Sequence, residues 1–558
     1  MREDWHKLVS QPQYQVKVEK DIFVPMPDGT RIAADIYRPD AGGKFPALLG
    51  LTPYSKDVQK LPIFQFSTNR DLGNGGIEAG DTNYFVSRGY VHVIAESRGT
   101  GVSEGSYRVF TDQEQQDGYD LVEWIARQPW CDGNVGMLGM SYLGMIQLLV
   151  AAKNPPHLKA IFPVDAATDI YRHWAYHGGI LHLSFLATYW DASLVVNRTE
   201  PAVVADEAAI IAELLENTDI ISYPRLYKTL RWPEKNPHLF DVLVHPFDGP
   251  FYWERSASTK FDQIKIPCYL LSRWAAPYLH LPGAFSAYSN INSPKKLMIT
   301  VPESGVGFNR PWHENHDIIL RWYDHWLKGI DTGIMAEPPI RLLIQGTNQW
   351  RQENEWPLER TQWTKLHLGI QGRLQSAVPG WNERPDRFTT AVGLQQGGKI
   401  PSLQYTTEPL TENSEITGPI ALYLYASISV SDTNWFVEII DVAPKGTEKR
   451  VSVGWLKASH RELDEGRSKP YQPFHPHRRA IPVEPDRIIE YAIEIRETAY
   501  VFEAGHQMKL LVKAQDAPWE GSGYRSINHI PPSVETRHAI YHTPEYPSHL
   551  LLPVIPKS

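Results

Sequence analysis

Residues 136–144 read Gly136-Met137-Leu138-Gly139-Met140-Ser141-Tyr142-Leu143-Gly144. The residues leading into this stretch, Asn134–Leu138, have the apolar run of a short buried strand. Those following it, Met145–Ala152, have the composition of a helix. A serine on a tight strand-to-helix turn between small residues is a nucleophile elbow. The turn leaves room only for glycines, and the serine Oγ projects at the helix N-terminus. There the helix dipole and the first free backbone N–H groups can stabilise a developing oxyanion. The general pattern is Gly-x-Ser-x-Gly; here the second glycine falls one place late, at Gly144, behind Leu143.

Working outward, the elbow sits in a series of alternating strands and helices. Upstream, two alternating runs flank Pro27-Asp28-Gly29-Thr30, and Asp-Gly between such runs predicts a hairpin. The apolar run Pro46–Leu51 reads as a buried parallel strand that ends in Thr52-Pro53-Tyr54-Ser55-Lys56. A second, Tyr90–Ala95, enters Glu96-Ser97-Arg98-Gly99-Thr100-Gly101-Val102-Ser103-Glu104-Gly105. An amphipathic helix bearing Leu121, Val122, Trp124 and Ile125 leads to the elbow, and Leu158–Val164 reads as the next strand. Strand and helix alternate, which defines a βα-wound parallel sheet.

The rhythm breaks near Ile170. Helical patterns over Ile180–Tyr189, Ala205–Leu215 and Tyr223–Leu230 suggest an inserted cap. The sheet resumes at Ile266–Leu271 and Lys296–Val301, and an amphipathic helix covers Ile318–Leu327. Past about Trp350 short strands alternate with turn residues, the pattern of an all-β sandwich. The expected boundaries are 1–169 and 263–349 for the sheet domain, 170–262 for the cap and 350–558 for the β domain.

The chain has 558 residues, too many for one hydrophobic core. Its 42% hydrophobic and 21% charged residues are those of an ordinary globular enzyme. A net charge of −9 gives no reason to expect nucleic acid or a membrane surface as partner. Two cysteines, Cys131 and Cys268, cannot build a disulfide framework or a zinc cluster, and they read as small buried residues in a reducing compartment. The N-terminus lacks an apolar leader core and no run of 18 apolar residues occurs, so a cytoplasmic protein is expected. His173 and His177 stand at i, i+4, but no third ligand is signalled, and neither metal nor cofactor is expected.

With these pieces in order, the chain resembles the cocaine esterase / X-prolyl dipeptidyl-peptidase family (the CocE/NonD group). The resemblance rests on Pro53-Tyr54-Ser55-Lys56, the segment from Arg98 to Gly105, Gly139-x-Ser141-Tyr142-x-Gly144 and Arg321-Trp322-Tyr323-Asp324-His325-Trp326-Leu327-Lys328-Gly329. In the β domain it includes Gly454–Arg461 and Ala504-Gly505-His506. It implies an α/β fold: an α/β-hydrolase sheet domain with an inserted helical cap and a C-terminal jelly roll that walls the active site. It also implies that Ser141 is the nucleophile, and that Tyr54, through its hydroxyl, and Tyr142, through its backbone N–H, form the oxyanion hole. An ion pair between Arg98 and Glu104 would brace the floor. Cap aromatics Trp174, Tyr176, Tyr189, Trp190 and Trp253 are candidates for the pocket lining.

The sequence departs from the family in the rest of the machinery. The family acid, in Gly-Trp-x-Asp, falls where this chain reads Arg273-Trp274-Ala275-Ala276. The family base, in Gly-Pro-Trp-x-His, falls at Pro302-Glu303-Ser304, with Ser304 in place of His. His280, His313 and His316 lie in loops that could supply a base, and Glu303, Glu314 or Asp165 could orient it. Three readings follow. The first is a hydrolase of a small ester or amide acting through a Ser141 acyl-enzyme. The others are a non-hydrolytic enzyme (lyase, cyclase, isomerase or acyl transfer) and a catalytically degenerate pseudo-hydrolase. The expected partner is a small-molecule substrate, with a possible homodimer.

Overall fold

The computed structural model describes residues 5–60, 78–189, 197–201, 206–275, 277–301, 312–381, 383–391, 400–516 and 529–557. The Asp28-Gly29 turn joins β1 (Val16–Pro25) to β2 (Arg31–Pro39), paired antiparallel. The sheet continues with β3 (Phe45–Thr52), β4 (Val91–Glu96), β5 (Cys131–Met140) and β6 (Leu158–Val164). Its later members are β7 (Cys268–Arg273), β8 (Lys295–Thr300), β9 (Ile340–Ile344) and β10 (Gln349–Glu353). These ten strands lie in the order β1-β2-β4-β3-β5-β6-β7-β8-β9-β10. From β4 through β9 the pairs are parallel, so their C-terminal ends line one edge and the elbow strand sits near the middle. That edge is where an open α/β sheet presents its site.

The parallel strands are buried on both faces, which explains their unbroken apolar runs. Helices α1 (Thr82–Val86), α2 (Asp112–Ala126) and α3 (Tyr142–Ala152) follow the first strands. Every residue of α3 is buried, so its apolar all-round composition reflects a helix enclosed by the sheet and its neighbours. Later, α4 (Leu281–Asn290) follows β7, and α5 (Trp312–Lys328) crosses the far face. Cys131 and Cys268 are buried and unpaired.

Between β6 and β7 lies a set of short helices, including Leu183–Tyr189, Glu207–Glu216, Pro224–Arg231 and Pro237–Leu243. The stretch predicted as one helix over Ile180–Tyr189 opens instead as a strand residue pair, Ile180–Leu181, turned back on Tyr176–His177. The paired glycines Gly178 and Gly179, both at positive φ, make that turn. A Cβ on Gly178 would lie 2.2 Å from the Trp455 carbonyl oxygen, so the turn is pressed against the β domain.

From Gln362 to Ile555 the chain forms an eleven-stranded sheet that closes on itself where Ser414–Ile428 pairs with His549–Ile555, around its own apolar core. This barrel-like all-β unit is the expected jelly roll. It docks on the rest of the molecule: Phe436, Val453, Trp455 and Val501 join the apolar core of the sheet domain and cap. Backbone bonds Lys457 N–H to Gly178 O (2.8 Å), Ile530 N–H to Leu181 O (3.1 Å) and Gln345 N–H to Ala499 O (3.0 Å) fix the contact. Among the described residues no helix is long and apolar enough to cross a membrane.

Candidate active site

Ser141 stands between β5 and α3 with φ 57° and ψ −117°, a conformation a serine adopts only when the surrounding fold imposes it. The glycine pattern explains how. A Cβ on Gly144 would lie 2.6 Å from the Val164 carbonyl oxygen, and one on Gly139 would lie 2.3 Å from Leu143 Cβ. The displaced second glycine is therefore the residue that lets α3 press against the end of β6. The Ser141 N–H donates to that same Val164 carbonyl at 2.9 Å.

Ser141 Oγ lies 3.2 Å from His280 Nε2. His280 ends the loop after β7 and is the N-cap of α4. The structure brings this candidate histidine to the serine. His316 is committed elsewhere: its ring stacks on Tyr84 with centroids 4.2 Å apart, and Nε2 lies 3.5 Å from Asp81 Oδ2. The side chain of His313 lies outside the described residues, as do Glu303 and Ser304.

Behind His280, Asp165 caps β6 with φ 47° and no solvent exposure. Its carboxylate accepts from Ser272 Oγ at 2.9 Å and from Arg273 Nε at 2.7 Å, with a second, shorter bond from the same guanidinium. Burial pushes this carboxyl up, but Arg273 and then His280 outweigh it and hold it below the usual range. Asp165 is thus an ionised carboxylate close enough to His280 for the two to interact electrostatically. Sequence reasoning offered Asp165 as one orienter among three; the signal that would have singled it out is Arg273, a cation standing where the family writes glycine.

Tyr54 lies beyond the C-terminal end of β3. Its hydroxyl is 2.9 Å from that of Tyr189, and its ring meets the Tyr142 ring edge-on at 6.0 Å. Burial, with the neighbouring Tyr189 and Glu78, raises its pKa well above the ordinary phenol value, so it stays a proton donor. The loop is clamped by Glu96, which accepts from Ser55 Oγ (2.8 Å), Lys56 N–H (3.0 Å) and Val102 N–H (2.8 Å). A Cβ on Gly101 would lie 2.1 Å from Glu96 Oε1, which explains that glycine in the Arg98–Gly105 segment. Tyr142 is the first residue of α3, so its N–H has no preceding helical carbonyl to bond. Its side chain points away from the serine: the hydroxyl donates to Glu114 Oε2 at 2.6 Å and the ring stacks on Phe110 at 4.0 Å.

The ion pair expected between Arg98 and Glu104 is not formed. Arg98 binds Asp117 and Asp28, both at 2.7 Å, while Glu104 binds Arg31 at 2.5 Å. The turn between them reverses the chain, so the two side chains leave it toward different neighbours. The cap aromatics also divide. Tyr189 faces Tyr54, and Trp174 and Phe185 pack against Tyr189. Tyr176 is core, bonded to the Val242 carbonyl, and Trp253 is a surface residue bonded to Asp248. Trp190 lies outside the described residues. His173 Nδ1 accepts from the Asp169 N–H at 3.3 Å, and His177 Nδ1 bonds His529 Nε2 at 2.7 Å, so the two rings turn to separate partners.

A parallel sheet flanked by helices, with a serine on a strained elbow and a histidine at hydrogen-bond distance, defines an α/β hydrolase. Family models agree over most of the chain. Residues 28–302 match the X-Pro dipeptidyl-peptidase (S15 family) domain, and residues 332–551 match the X-Pro dipeptidyl-peptidase C-terminal non-catalytic domain. The chain belongs to this S15, CocE/NonD family of hydrolases. It is 28% identical to a cocaine esterase of a Rhodococcus species over 96% of this chain and 98% of that protein. Among solved structures it is similar to a CocE/NonD family hydrolase from Staphylococcus aureus, with TM-score 0.80, 25% identity and coverage of 97% and 94% of the two chains. An aminopeptidase from a marine sediment archaeon shares the fold, with TM-score 0.77, 20% identity and coverage of 98% and 97%. These relationships favour the hydrolase reading over the non-hydrolytic and pseudo-hydrolase alternatives.

Proposed function

We propose that the protein hydrolyses an ester or amide of a small, uncharged acyl group through a Ser141 acyl-enzyme, with His280 as base and Asp165 as its orienting carboxylate. The observation that carries this reading is the 3.2 Å approach of Ser141 Oγ to His280 Nε2. His280 takes the serine proton as Oγ attacks the substrate carbonyl, and the buried carboxylate of Asp165 stabilises the imidazolium that forms. The carbonyl oxygen, now negative, is received by the Tyr54 hydroxyl and the Tyr142 N–H. His280 then protonates the leaving group, which departs as alcohol or amine. Water repeats the sequence on the acyl-enzyme and releases the acid.

An uncharged acyl group suits the wall that begins at Tyr54. Tyr189, Trp174 and Phe185 pack edge and face along it, and the histidines behind them are neutral. Burial lowers His182 and His238 to about 3. Tyr189, Trp174 and Phe185 themselves carry no charge that would compensate a buried ionic substituent. The relative named as a cocaine esterase supports an ester as the substrate class.

Labelling with a fluorophosphonate tests the reading. Wild type should label, Ser141→Ala should not, and His280→Ala should label at least about a hundredfold more slowly. Unlabelled wild type, or His280→Ala labelling at the wild-type rate, would refute it.

A further inference from the structure

One buried carboxylate outside the proposed triad is linked by hydrogen bonds to both sides of the proposed oxyanion hole. Glu114, 3% exposed in the first turn of α2, accepts three hydrogen bonds. They come from Ser97 Oγ at 2.6 Å, from the Tyr142 hydroxyl at 2.6 Å and from the Phe110 N–H at 2.9 Å. A capping-box glutamate at this position would accept from the N–H of the N-cap Thr111; Glu114 instead accepts from the Phe110 N–H, one residue earlier. The other two bonds are not needed for a cap, and they lead to the reacting centre.

The first path is short. Tyr142 carries, on its backbone, the N–H assigned to the oxyanion, and Glu114 anchors its phenol. The second path runs through Ser97, whose N–H donates to the Thr52 carbonyl at 2.8 Å. Thr52 Oγ1 in turn accepts from the Tyr54 N–H at 3.1 Å. The two proposed donors follow the adjacent strands β3 and β5, and beyond the strand pairing and the Tyr54–Tyr142 ring contact Glu114 links them by hydrogen bonds.

We propose that Glu114 is a positioning residue of the oxyanion hole, holding the Tyr142 N–H and the Tyr54 loop at a fixed separation. This inference rests on the hydrolase reading above. Its surroundings fit the task. Burial, reinforced by Asp117 one turn along α2, raises the carboxyl to about 7, against the pull of Ser97, Tyr142 and the Phe110 N–H. The two hydroxyl bonds, both 2.6 Å, have the length of charge-assisted hydrogen bonds, which are shorter and stronger than neutral ones.

The test separates positioning from simple stability. Glu114→Gln keeps the shape but gives up one acceptor oxygen. It should lower kcat for a p-nitrophenyl ester by roughly tenfold to a hundredfold while KM stays within about threefold, since the hole acts on the transition state. The Ki of a boronic acid, which forms a tetrahedral adduct on the serine, should rise in parallel with the loss in kcat. Tyr142→Phe, which removes only the anchored hydroxyl and leaves the N–H in place, should shift both quantities in the same direction and by less. It serves where Glu114→Gln fails to fold. A folded Glu114→Gln or Tyr142→Phe with wild-type kcat and boronate affinity overturns this inference alone. Absence of Ser141-dependent labelling in the wild type overturns the hydrolase reading and this inference with it.

Discussion

Asp165→Asn is the substitution that bears most directly on the proposed triad, because two separate quantities follow from the same contacts. The carboxylate is fully buried and holds Arg273, whose side chain is only 10% exposed. An asparagine keeps the bond from Ser272 but leaves the guanidinium without its counter-charge. Breaking a buried pair on one side costs about 3–5 kcal/mol, so the midpoint of thermal unfolding should fall at neutral pH. That loss depends on pH with a definite sign. The carboxyl's pKa is lowered in the fold, so its stabilisation is present above the ordinary carboxylate value and disappears as pH falls through the lowered one. The stability gap between wild type and Asp165→Asn should therefore be full at pH 7, begin to narrow only below about pH 4 and vanish as pH falls through the lowered pKa. The catalytic effect is different in kind. An amide can neither fix the imidazole by charge nor stabilise the imidazolium, and kcat for an activated ester should fall about 10³- to 10⁴-fold. Steady-state kinetics on protein shown to be folded by its melting curve reads this directly. Folded Asp165→Asn with kcat within threefold of wild type would refute the role given to Asp165, however large the stability change.

Tyr54→Phe removes one proposed oxyanion donor and leaves the ring in place; kcat should drop about 10²- to 10³-fold with KM nearly unchanged, measured on the same ester. Gly144→Ala would drive a Cβ to 2.6 Å from the Val164 carbonyl, and a separation of the elbow from β6 should destabilise the protein by about 1–3 kcal/mol and abolish labelling of Ser141. In the β domain, His542 lies between Glu383 (2.7 Å) and Asp386 (3.2 Å). Burial lowers its pKa, but Asp386 and Glu383 outweigh that and raise it above the ordinary value. The stabilisation it supplies should be complete below about pH 6.5 and lost as pH rises through the raised value. His542→Gln should flatten that dependence in thermal melts between pH 5 and 9.

The fold was legible because its signals are local. The Asp28-Gly29 hairpin, the apolar runs of β3, β4 and β6 and the glycine-flanked Ser141 each follow from neighbours in sequence, and their order restricts the topology to a wound sheet. The change of periodicity near Trp350 is equally local. The elbow, the Tyr54 loop and the Tyr142 helix start were legible for the same reason, reinforced by a resemblance that matches motif by motif. Partners separated by scores of residues were not. Arg98 and Glu104 look like a pair in sequence, yet each finds its counter-charge on another element. Glu114 reads as an ordinary first-turn glutamate until Ser97 and Tyr142 are seen to converge on it. His280 was one of three histidines with nothing to separate them, because what brings it to Ser141 is the path of the loop between β7 and α4.

That path also makes sense of the two departures from the family pattern, which are one change and not two. In a parallel sheet neighbouring strands are about 4.8 Å apart, so moving a side chain's origin by one strand changes its reach by that amount. The resemblance places the acid after β7 and the base after β8. The proposed triad takes the acid from the end of β6 and the base from the loop after β7, one strand nearer the nucleophile in each case. The chain order nucleophile, acid, base is kept as Ser141, Asp165, His280. A carboxylate at the end of β6 is deeply buried and needs a positive partner to remain ionised, and Arg273 provides it from the position where the family has a glycine. Loss of the acid after Trp274, gain of Arg273 and the use of His280 are therefore physically linked. Arg273→Gly alone should not recover a family-like site; it should strand Asp165 without its cation and weaken the proposed triad, lowering kcat on the same ester.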